Sequence, residues 1–350
     1  MIIIFGGTTE GRIAAKVLDE AGSPYYYSTR GNAQQIECKH GIYVTGGLDS
    51  NAMLEFCTTH DIRLIIDAAH PFASLLHSTV ASVSEQLDIP VIRLERRYPP
   101  RDESLVWCDS FDDAIDYLES HEINHLLALS GVQTIGKLRR YWEKHACHFR
   151  VLDREDSRTL AKQTGFPEKN LLFWHEGQDE LALFRQLHPG AILTKESGES
   201  GYYEEKVTAA RQLGIPVIVI RRPPLPDSFY TVNGEHGLRY RVERLLPGFY
   251  PLRSGFTTGS CATAATRAAL RGLLTQETQH SATITLPDGE TVTLPVSSCV
   301  FTDSNCTCGV IKDAGDDPDV TNGYTVLSTV SLTTQPGIQF LPGEGVGTIT

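Results

Sequence analysis

The chain opens on five apolar residues, Met1-Ile2-Ile3-Ile4-Phe5, which run into Gly6-Gly7-Thr8-Thr9-Glu10-Gly11-Arg12 and a helix-forming stretch at 13–18. An unbroken apolar run bounded by turn residues predicts a strand buried on both faces, the kind found in parallel sheets. The pattern then repeats. Strands are expected at 25–31, 42–44, 63–67 and from 89, with helices at 50–59 and 74–86. After a proline-rich crossing at 99–105 come a helix at 109–120, a strand, glycine turn and helix at 126–137, and strands at 149–152 and 171–174. A helix at 179–187, a strand from 191 that passes through polar and glycine residues into a helix reaching 206, and a strand at 215–220 complete the series. Strands and helices in alternation predict an α/β fold, a doubly wound parallel sheet with helices on both faces. Ile89-Pro90-Val91-Ile92 and Ile215-Pro216-Val217-Ile218 are each followed by arginines and then prolines. The echo predicts two similar α/β halves that lend basic strand ends to one cleft.

The pattern changes near residues 245–251. Leu252-Arg253-Ser254-Gly255-Phe256-Thr257-Thr258-Gly259-Ser260-Cys261 leads into an alanine-lined helix ending near 274, and alternating Thr and Val predict strands at 282–286 and 291–296. This is a third segment of α+β character. The acidic turn from Lys312 to Thr321 does not have the spacing of a calcium loop.

With 350 residues, 41% of them hydrophobic, the chain can fill two or three cores. The formal net charge of −12 argues against nucleic acid or an anionic membrane as a bulk partner, so local basic clusters are read as sites. No apolar run is long enough to span a membrane. A buried strand at residue 1 leaves no room for a leader, and a cytoplasmic location is expected. The eight cysteines are scattered, and Cys306-Thr307-Cys308 is the one close pair, with no second pair or histidine near it. They read as ordinary thiols, and no metal ligands are assigned.

Candidate chemistry gathers at strand ends. Gly6, Gly7, Thr8, Thr9, Glu10 and Gly11 form G-x-T-x-x-G before a helix, where backbone N–H groups and the helix start favour a phosphate and the Thr8 hydroxyl can donate to it. The second strand ends in Ser28, Thr29 and Arg30 with no acid, which suits a 2′-phosphate and hence NADPH over NADH. Asp67-Ala68-Ala69-His70-Pro71-Phe72-Ala73 follows a buried strand, and His70 is the candidate acid–base residue because an imidazole ordinarily titrates near neutrality. Arg93, Arg96, Arg97 and Arg221 are expected to meet carboxylates or phosphates, the alternative being an ion-pair network with Glu95 and Asp102. Ser130, Gly131 and Thr134 mark a second anion-capable helix start, and Lys195 and Ser197 should point into the cleft, while Lys206 reads as surface charge.

The motif Gly6-Gly7-Thr8-Thr9-Glu10-Gly11, the motif from Asp67 to Ala73, and Lys195-Glu196-Ser197-Gly198 with Gly201 and Lys206 together resemble the precorrin-6A reductases of cobalamin biosynthesis. The resemblance covers about residues 1–245 and implies two Rossmann-like halves. Residues 1–100 would bind the nicotinamide cofactor, NADPH or NADH, and residues 101–248 would form the substrate side. A hydride then reduces one double bond of a tetrapyrrole lying between them. His70, or a proton relayed past Lys195 or Ser197, would complete the reduction, with Asp67, Gly198 and Gly201 beside the substrate. Residues 252–350 resemble the opening part of the cobalt-precorrin-5B methyltransferases, carried by the stretch from Arg253 to Ala262 and by Val310-Ile311-Lys312-Asp313-Ala314-Gly315-Asp316-Asp317-Pro318-Asp319-Val320. That second resemblance implies a fusion protein, a cobalt-bearing anionic ring as substrate, other cobalamin-pathway enzymes as partners, and S-adenosylmethionine as a cofactor only if the region were complete. Two rival readings remain open: a two-lobed nucleotide-sugar-dependent transferase and a non-enzymatic nucleotide-sensing module.

Overall fold

The computed structural model describes residues 1–31, 36–198, 202–287, 289–302, 304–334 and 336–345. The chain divides into two compact units, Met1–Leu238 and Arg239–Thr350. In chain order the first unit contains β1 (Ile2–Phe5), α1 (Thr9–Asp19), β2 (Tyr25–Thr29), β3 (Gly41–Thr45), α2 (Ser50–Thr59), β4 (Leu64–Asp67), α3 (Ser74–Leu87) and β5 (Val91–Leu94). There follow β6 (Val106–Cys108), α4 (Phe111–Ser120), β7 (His125–Ala128), the short α5 (Arg139–Trp142), β8 (Ala146–Leu152), α6 (Glu155–Gln163) and β9 (Leu171–Trp174). Then come α7 (Glu180–Leu187), β10 (Ala191–Lys195), α8 (Tyr203–Gln212), β11 (Val217–Ile220) and β12 (Tyr230–Val232), and α9 (Gly234–Leu245) carries the chain into the second unit.

Two parallel six-stranded sheets result, ordered β12-β5-β4-β1-β2-β3 and β6-β11-β10-β7-β8-β9. The sixth strand of each sheet is supplied from beyond the other half. After β5 the chain crosses to the second sheet and adds β6, and after β11 it crosses back and adds β12. Equivalent hydrogen bonds close both crossings: Glu95 N–H donates to the Val232 carbonyl at 2.8 Å, and Arg221 N–H donates to the Cys108 carbonyl at 2.8 Å. The echoed Ile-Pro-Val-Ile-Arg-Pro sequences are therefore the two crossings. A division into contiguous halves at residue 100 does not hold, because Phe229 belongs to the core around Ile3 and Ile65. Nearby, Lys16 on α1 pairs with Glu235 at 2.6 Å.

Local sequence explains the packing. Period-two alternation along β2 sends Tyr25 and Tyr27 under α1, where Tyr25 Oη donates to the Ala15 carbonyl at 3.1 Å. Tyr26, on the opposite face, meets Phe56 of α2 edge-on with ring centroids 5.0 Å apart. The helix expected after β7 does not form as such. Instead Val132–Thr134 and Gly136–Leu138 are 3-10 turns ahead of the four-residue α5.

The second unit packs the long helix α10 (Thr258–Thr275) against β13 (Ser281–Thr285) and β14 (Thr291–Pro295), an antiparallel hairpin, and against the antiparallel sheet β15 (Ser298–Phe301), β16 (Asn305–Ile311), β17 (Thr325–Ser331). Alanines 264, 265, 268 and 269 line the buried face of α10 and let the strands approach closely. The acidic turn is clasped, not open. The Lys312 ammonium is buried and donates to Thr258 Oγ1 at 2.9 Å and Thr321 Oγ1 at 2.8 Å and to Asp319, while Arg253 Nη1 donates to Asp313 at 2.7 Å. Gly255 and Gly315 lie where the two segments cross backbone on backbone. A Cβ on Gly255 would overlap the Ala314–Gly315 peptide. Gly255→Ala should therefore lower a calorimetric unfolding transition by roughly 10 °C or more. Gly136→Ala, where the added Cβ meets nothing within 4 Å, should leave the transition in place.

Candidate active site at the switch points of the two sheets

In open α/β sheets ligands bind at the carboxyl ends of the strands, where the strand order reverses. The first sheet reverses between β1 and β4, and the second between β7 and β10. The turns leaving those strands are residues 6–10, 67–73, 129–137 and 195–198, which between them hold most of the residues singled out from sequence.

Arg96 joins the two reversals. Its Nη2 donates to Glu10 Oε2 at 2.6 Å and its Nη1 to the Ser197 carbonyl at 2.8 Å, with both charged side chains almost fully buried. Gly198, at φ +65°, makes this crossing possible, since a Cβ there would stand 2.6 Å from the Arg97 carbonyl oxygen. Phe72, from the turn after β4, packs against the core of the second half, and Lys195 Nζ lies 5.1 Å from the centre of its ring. The turns after β4 and β10 thus face one another.

Within the first reversal, Thr8 caps α1. Its Oγ1 accepts the Gly11 N–H at 3.0 Å and donates its one proton to the Ala68 carbonyl at 2.6 Å, so the expected donation from Thr8 to a phosphate gives way to a structural bond. Gly6 and Gly11 are glycines because the Tyr27 ring fills the space beneath them; Gly7, at φ +87°, donates its N–H to Tyr27 Oη at 3.1 Å. Thr9 is the first residue of the helix, and its side chain is exposed. Ser28 and Thr29 are buried at the end of β2, and Arg30 is exposed beyond them.

The arginine cluster is neutralised from within. Arg93 is fully buried and in register with Asp67; its Nη1 donates to Asp67 Oδ1 and to the Ala69 carbonyl, both at 2.9 Å, and its Nη2 to Glu95 at 3.3 Å. Asp67 also holds His77 Nδ1 at 2.6 Å. Arg101 and Arg222 both engage the buried Glu196, Arg222 stacks 3.6 Å from the Tyr98 ring centre, and Arg221 pairs with Asp109 at 2.8 Å. The expectation that Arg93 and Arg96 receive substrate anions is thereby corrected, since both are paired inside the protein, and Asp67, expected beside the substrate, is buried against Arg93 and His77; Arg221 is paired at the surface. Arg97 is half-buried beside Gly198. Asp102 pairs with Arg211, outside the network in which sequence reading placed it.

In the second half, Ser130 and Thr134 are buried and hydrogen-bonded to each other at 2.7 Å around Gly131, which stands at φ +88°, so they shape the turn and present no polar group outward. Ser197 is buried and Gly201 lies outside the described residues. Lys206, expected at the surface, is buried, and that burial lowers its pKa to about 8.

What remains for chemistry is His70, Lys195 and Lys137. His70 has an exposed surface, yet protein atoms crowd its ring and the Lys195 and Arg96 cations stand near it. All three act to lower its pKa; with the exposed surface limiting the effect of burial, the two cations still favour the neutral imidazole at pH 7. The expected role of His70 as a group titrating near neutrality is corrected accordingly. Lys195 is half-buried, and burial followed by repulsion from Lys137 brings its pKa down to about 8. Among the described residues neither Lys195 nor Lys137 pairs with a carboxylate.

Burial alone would raise the Asp67 pKa, but the His77 hydrogen bond and the Arg93 charge outweigh it and hold the carboxyl below its ordinary 3.8. A depressed carboxylate stabilises the fold above its unfolded-state pKa and loses that contribution as pH falls through the folded value. Asp67→Asn should cost about 3 kcal/mol at neutral pH, because it strands a buried guanidinium. Denaturant unfolding at pH 7 and at pH 3 should find the difference between variant and parent smaller in acid.

Comparison with known proteins places this geometry. Residues 1–237 match the family model described as precorrin-6x reductase CbiJ/CobK, and residues 248–350 match the CbiD model. The solved structure of a CobK precorrin-6A reductase superposes with a TM-score of 0.58 at 21% identity, covering 71% of this chain and 98% of that one, a likeness of fold. Cobalt-precorrin-5B C(1)-methyltransferase of Geobacillus kaustophilus (strain HTA426) is 52% identical over 99 residues, 28% of this chain and 27% of that protein. The enzyme of the same name from Pseudomonas putida (strain GB-1) is 51% identical over 100 residues, 29% of this chain and 28% of that protein. The chain thus spans just over a quarter of the length of these relatives. No helix among the described residues is long and apolar enough to cross a membrane. Both families act in cobalamin biosynthesis, and the chain belongs to the reductase family, CbiJ/CobK, over residues 1–237.

Proposed function

We propose that the first unit reduces one double bond of a precorrin-6A-type macrocycle to the 6B level, with hydride from NADPH and a proton from Lys195. The observation that carries this reading is the meeting of the two strand-order reversals, with Lys195 over Phe72 and beside His70 and no carboxylate among the described residues paired with it. When bound, the dinucleotide supplies the hydride. The first reversal fits its pyrophosphate: the Thr9 N–H and its exposed hydroxyl stand at the start of an eleven-residue helix, and Arg96 cancels the Glu10 carboxylate that would otherwise repel it. Arg30 beyond β2 suits a 2′-phosphate, which favours NADPH over NADH.

The second half supports the same division of labour. No helix of useful length begins after β7, so the nucleotide-sugar reading, which asks for a strong phosphate site there, has less support. Lys137 and Lys195 supply the positive charge that a ring with many carboxylate arms requires, in place of the arginines first expected to do so. Lys195 holds a proton whose pKa lies close to working pH, the condition for an efficient general acid, while the neutral His70, whose Nδ1 accepts the Phe72 N–H, can donate a hydrogen bond from Nε2 without changing charge. The partnership with a CbiD segment supports a cobalt-bearing ring as the substrate. Methyl transfer from S-adenosylmethionine is not part of the proposal, because just over a quarter of the relatives' length is present.

Anaerobic assay of NADPH oxidation with cobalt-precorrin-6A tests the reading. Turnover should be flat below pH 8 and fall about tenfold per unit above it, as Lys195 loses its proton. Lys195→Met should lower kcat at least about 100-fold with the NADPH Kd unchanged. Lys137→Ala should raise KM and move the alkaline limb to higher pH, since a repelling charge is gone. An alkaline limb unmoved by Lys137→Ala together with full turnover in Lys195→Met would remove Lys195 from the chemistry, and failure to oxidise either reduced nicotinamide would remove the reductase reading.

A further inference from the structure

Sequence reading left Cys306 and Cys308 as an isolated pair, but the antiparallel sheet of the second unit changes their company. Cys299 on β15 is the register partner of Cys308 on β16, and Cys306 lies two residues along the same strand. All three side chains project from one face of the sheet, toward α10. Cys299 Sγ and Cys306 Sγ are 3.8 Å apart, and the three sulfurs all lie within 4.8 Å of one another. Cys306 and Cys308 are fully buried, whereas Cys299 is partly open to solvent.

We propose that Cys299, Cys306 and Cys308 are three ligands of a site for one thiophilic metal ion of the zinc class, with its fourth position taken by solvent on the Cys299 side. Around a tetrahedral ion with metal–sulfur bonds of about 2.3 Å, neighbouring sulfurs lie about 3.8 Å apart, so the Cys299–Cys306 pair already has the separation required and the third sulfur needs about 1 Å of adjustment. Gly272, in the interior of α10, lets the helix approach the cluster: a Cβ there would stand 3.0 Å from Cys306 Sγ. Three soft sulfur donors without a histidine or carboxylate select zinc or copper(I) over magnesium, calcium or manganese.

Apolar burial pushes the thiols of Cys306 and Cys308 up from their ordinary pKa. The binding step is an exchange: the ion gains three thiolate bonds, sheds water, and releases the thiol protons to solvent, with no change of oxidation state. Affinity should therefore rise with pH.

Titration of the full chain, reduced with a phosphine and kept anaerobic, with cobalt(II) as the probe and zinc(II) as competitor tests the site. One equivalent of cobalt should bring up a sulfur-to-metal charge-transfer band, zinc should abolish it, and protons should appear in the unbuffered solution. Cys306→Ser should weaken binding at least about 100-fold, and Cys57→Ser, in the other unit, should leave it unchanged. Should Cys306→Ser not fold, Cys299→Ser, at the half-open position, replaces it with the same expected loss. No charge-transfer band at one equivalent, or a band that survives Cys299→Ser at full strength, overturns the proposal.

Discussion

The first unit depends on one buried ion pair. Arg96 and Glu10 are each nearly inaccessible to solvent, and neither charge could be buried without the other, because an unpaired ion in the interior costs several kcal/mol. The same guanidinium reaches the Ser197 carbonyl, so one side chain from the first crossing ties the turn after β1 in the first half to the turn after β10 in the second. The pair does more for arrangement than for net stability. It sets Phe72 and His70 against Lys195, and the chemistry proposed for the protein needs that juxtaposition.

The second constraint is topological. Each half is completed by a strand that the chain lays down only after visiting the other half. Two crossings therefore run between the halves, each rich in proline and arginine, and the buried Glu196 binds residues of both: Arg101 on the first and Arg222 on the second. The halves are not beads joined by one linker. Rotation of one half against the other would strain both crossings, so motion is expected at the turns of the strand ends more than at a hinge.

Much of this fold was legible from apolar runs. Ile2–Phe5, Leu64–Asp67 and Val217–Ile220 are short, unbroken and buried on both faces, and the sequence pattern of such strands admits few other readings. The two crossings were legible as an echo, though not as an exchange of strands, because β12 is three residues long, largely polar at its start, and named as a strand only by its pairing with β5. The glycine turn after β7 looked like its counterpart after β1. It differs because the Thr134 hydroxyl bonds back to the Gly131 carbonyl and holds the chain in 3-10 geometry. The candidate residues stand at strand ends, and several of the charges among them are already paired. A run of arginines announces positive charge, but the carboxylates that cancel it, Glu10, Asp67, Glu95 and Glu196, are scattered over nearly two hundred residues. Lys195 was legible; its companion Lys137 was not singled out, since only the meeting of the turns after β7 and β10 brings its charge to bear on Lys195.

The central claim is that Arg96 makes one active site of two strand-order reversals, and a paired comparison tests it most directly. In Glu10→Gln/Arg96→Met neither member of the pair is left as a lone buried charge, so both halves should fold and the first should still bind NADPH. Single-turnover oxidation of that bound NADPH by cobalt-precorrin-6A should then be slowed at least about 100-fold with an unchanged cofactor Kd, because Lys195 and Phe72 are no longer held against the first half. Hydride transfer at the parent rate in this variant would contradict the account.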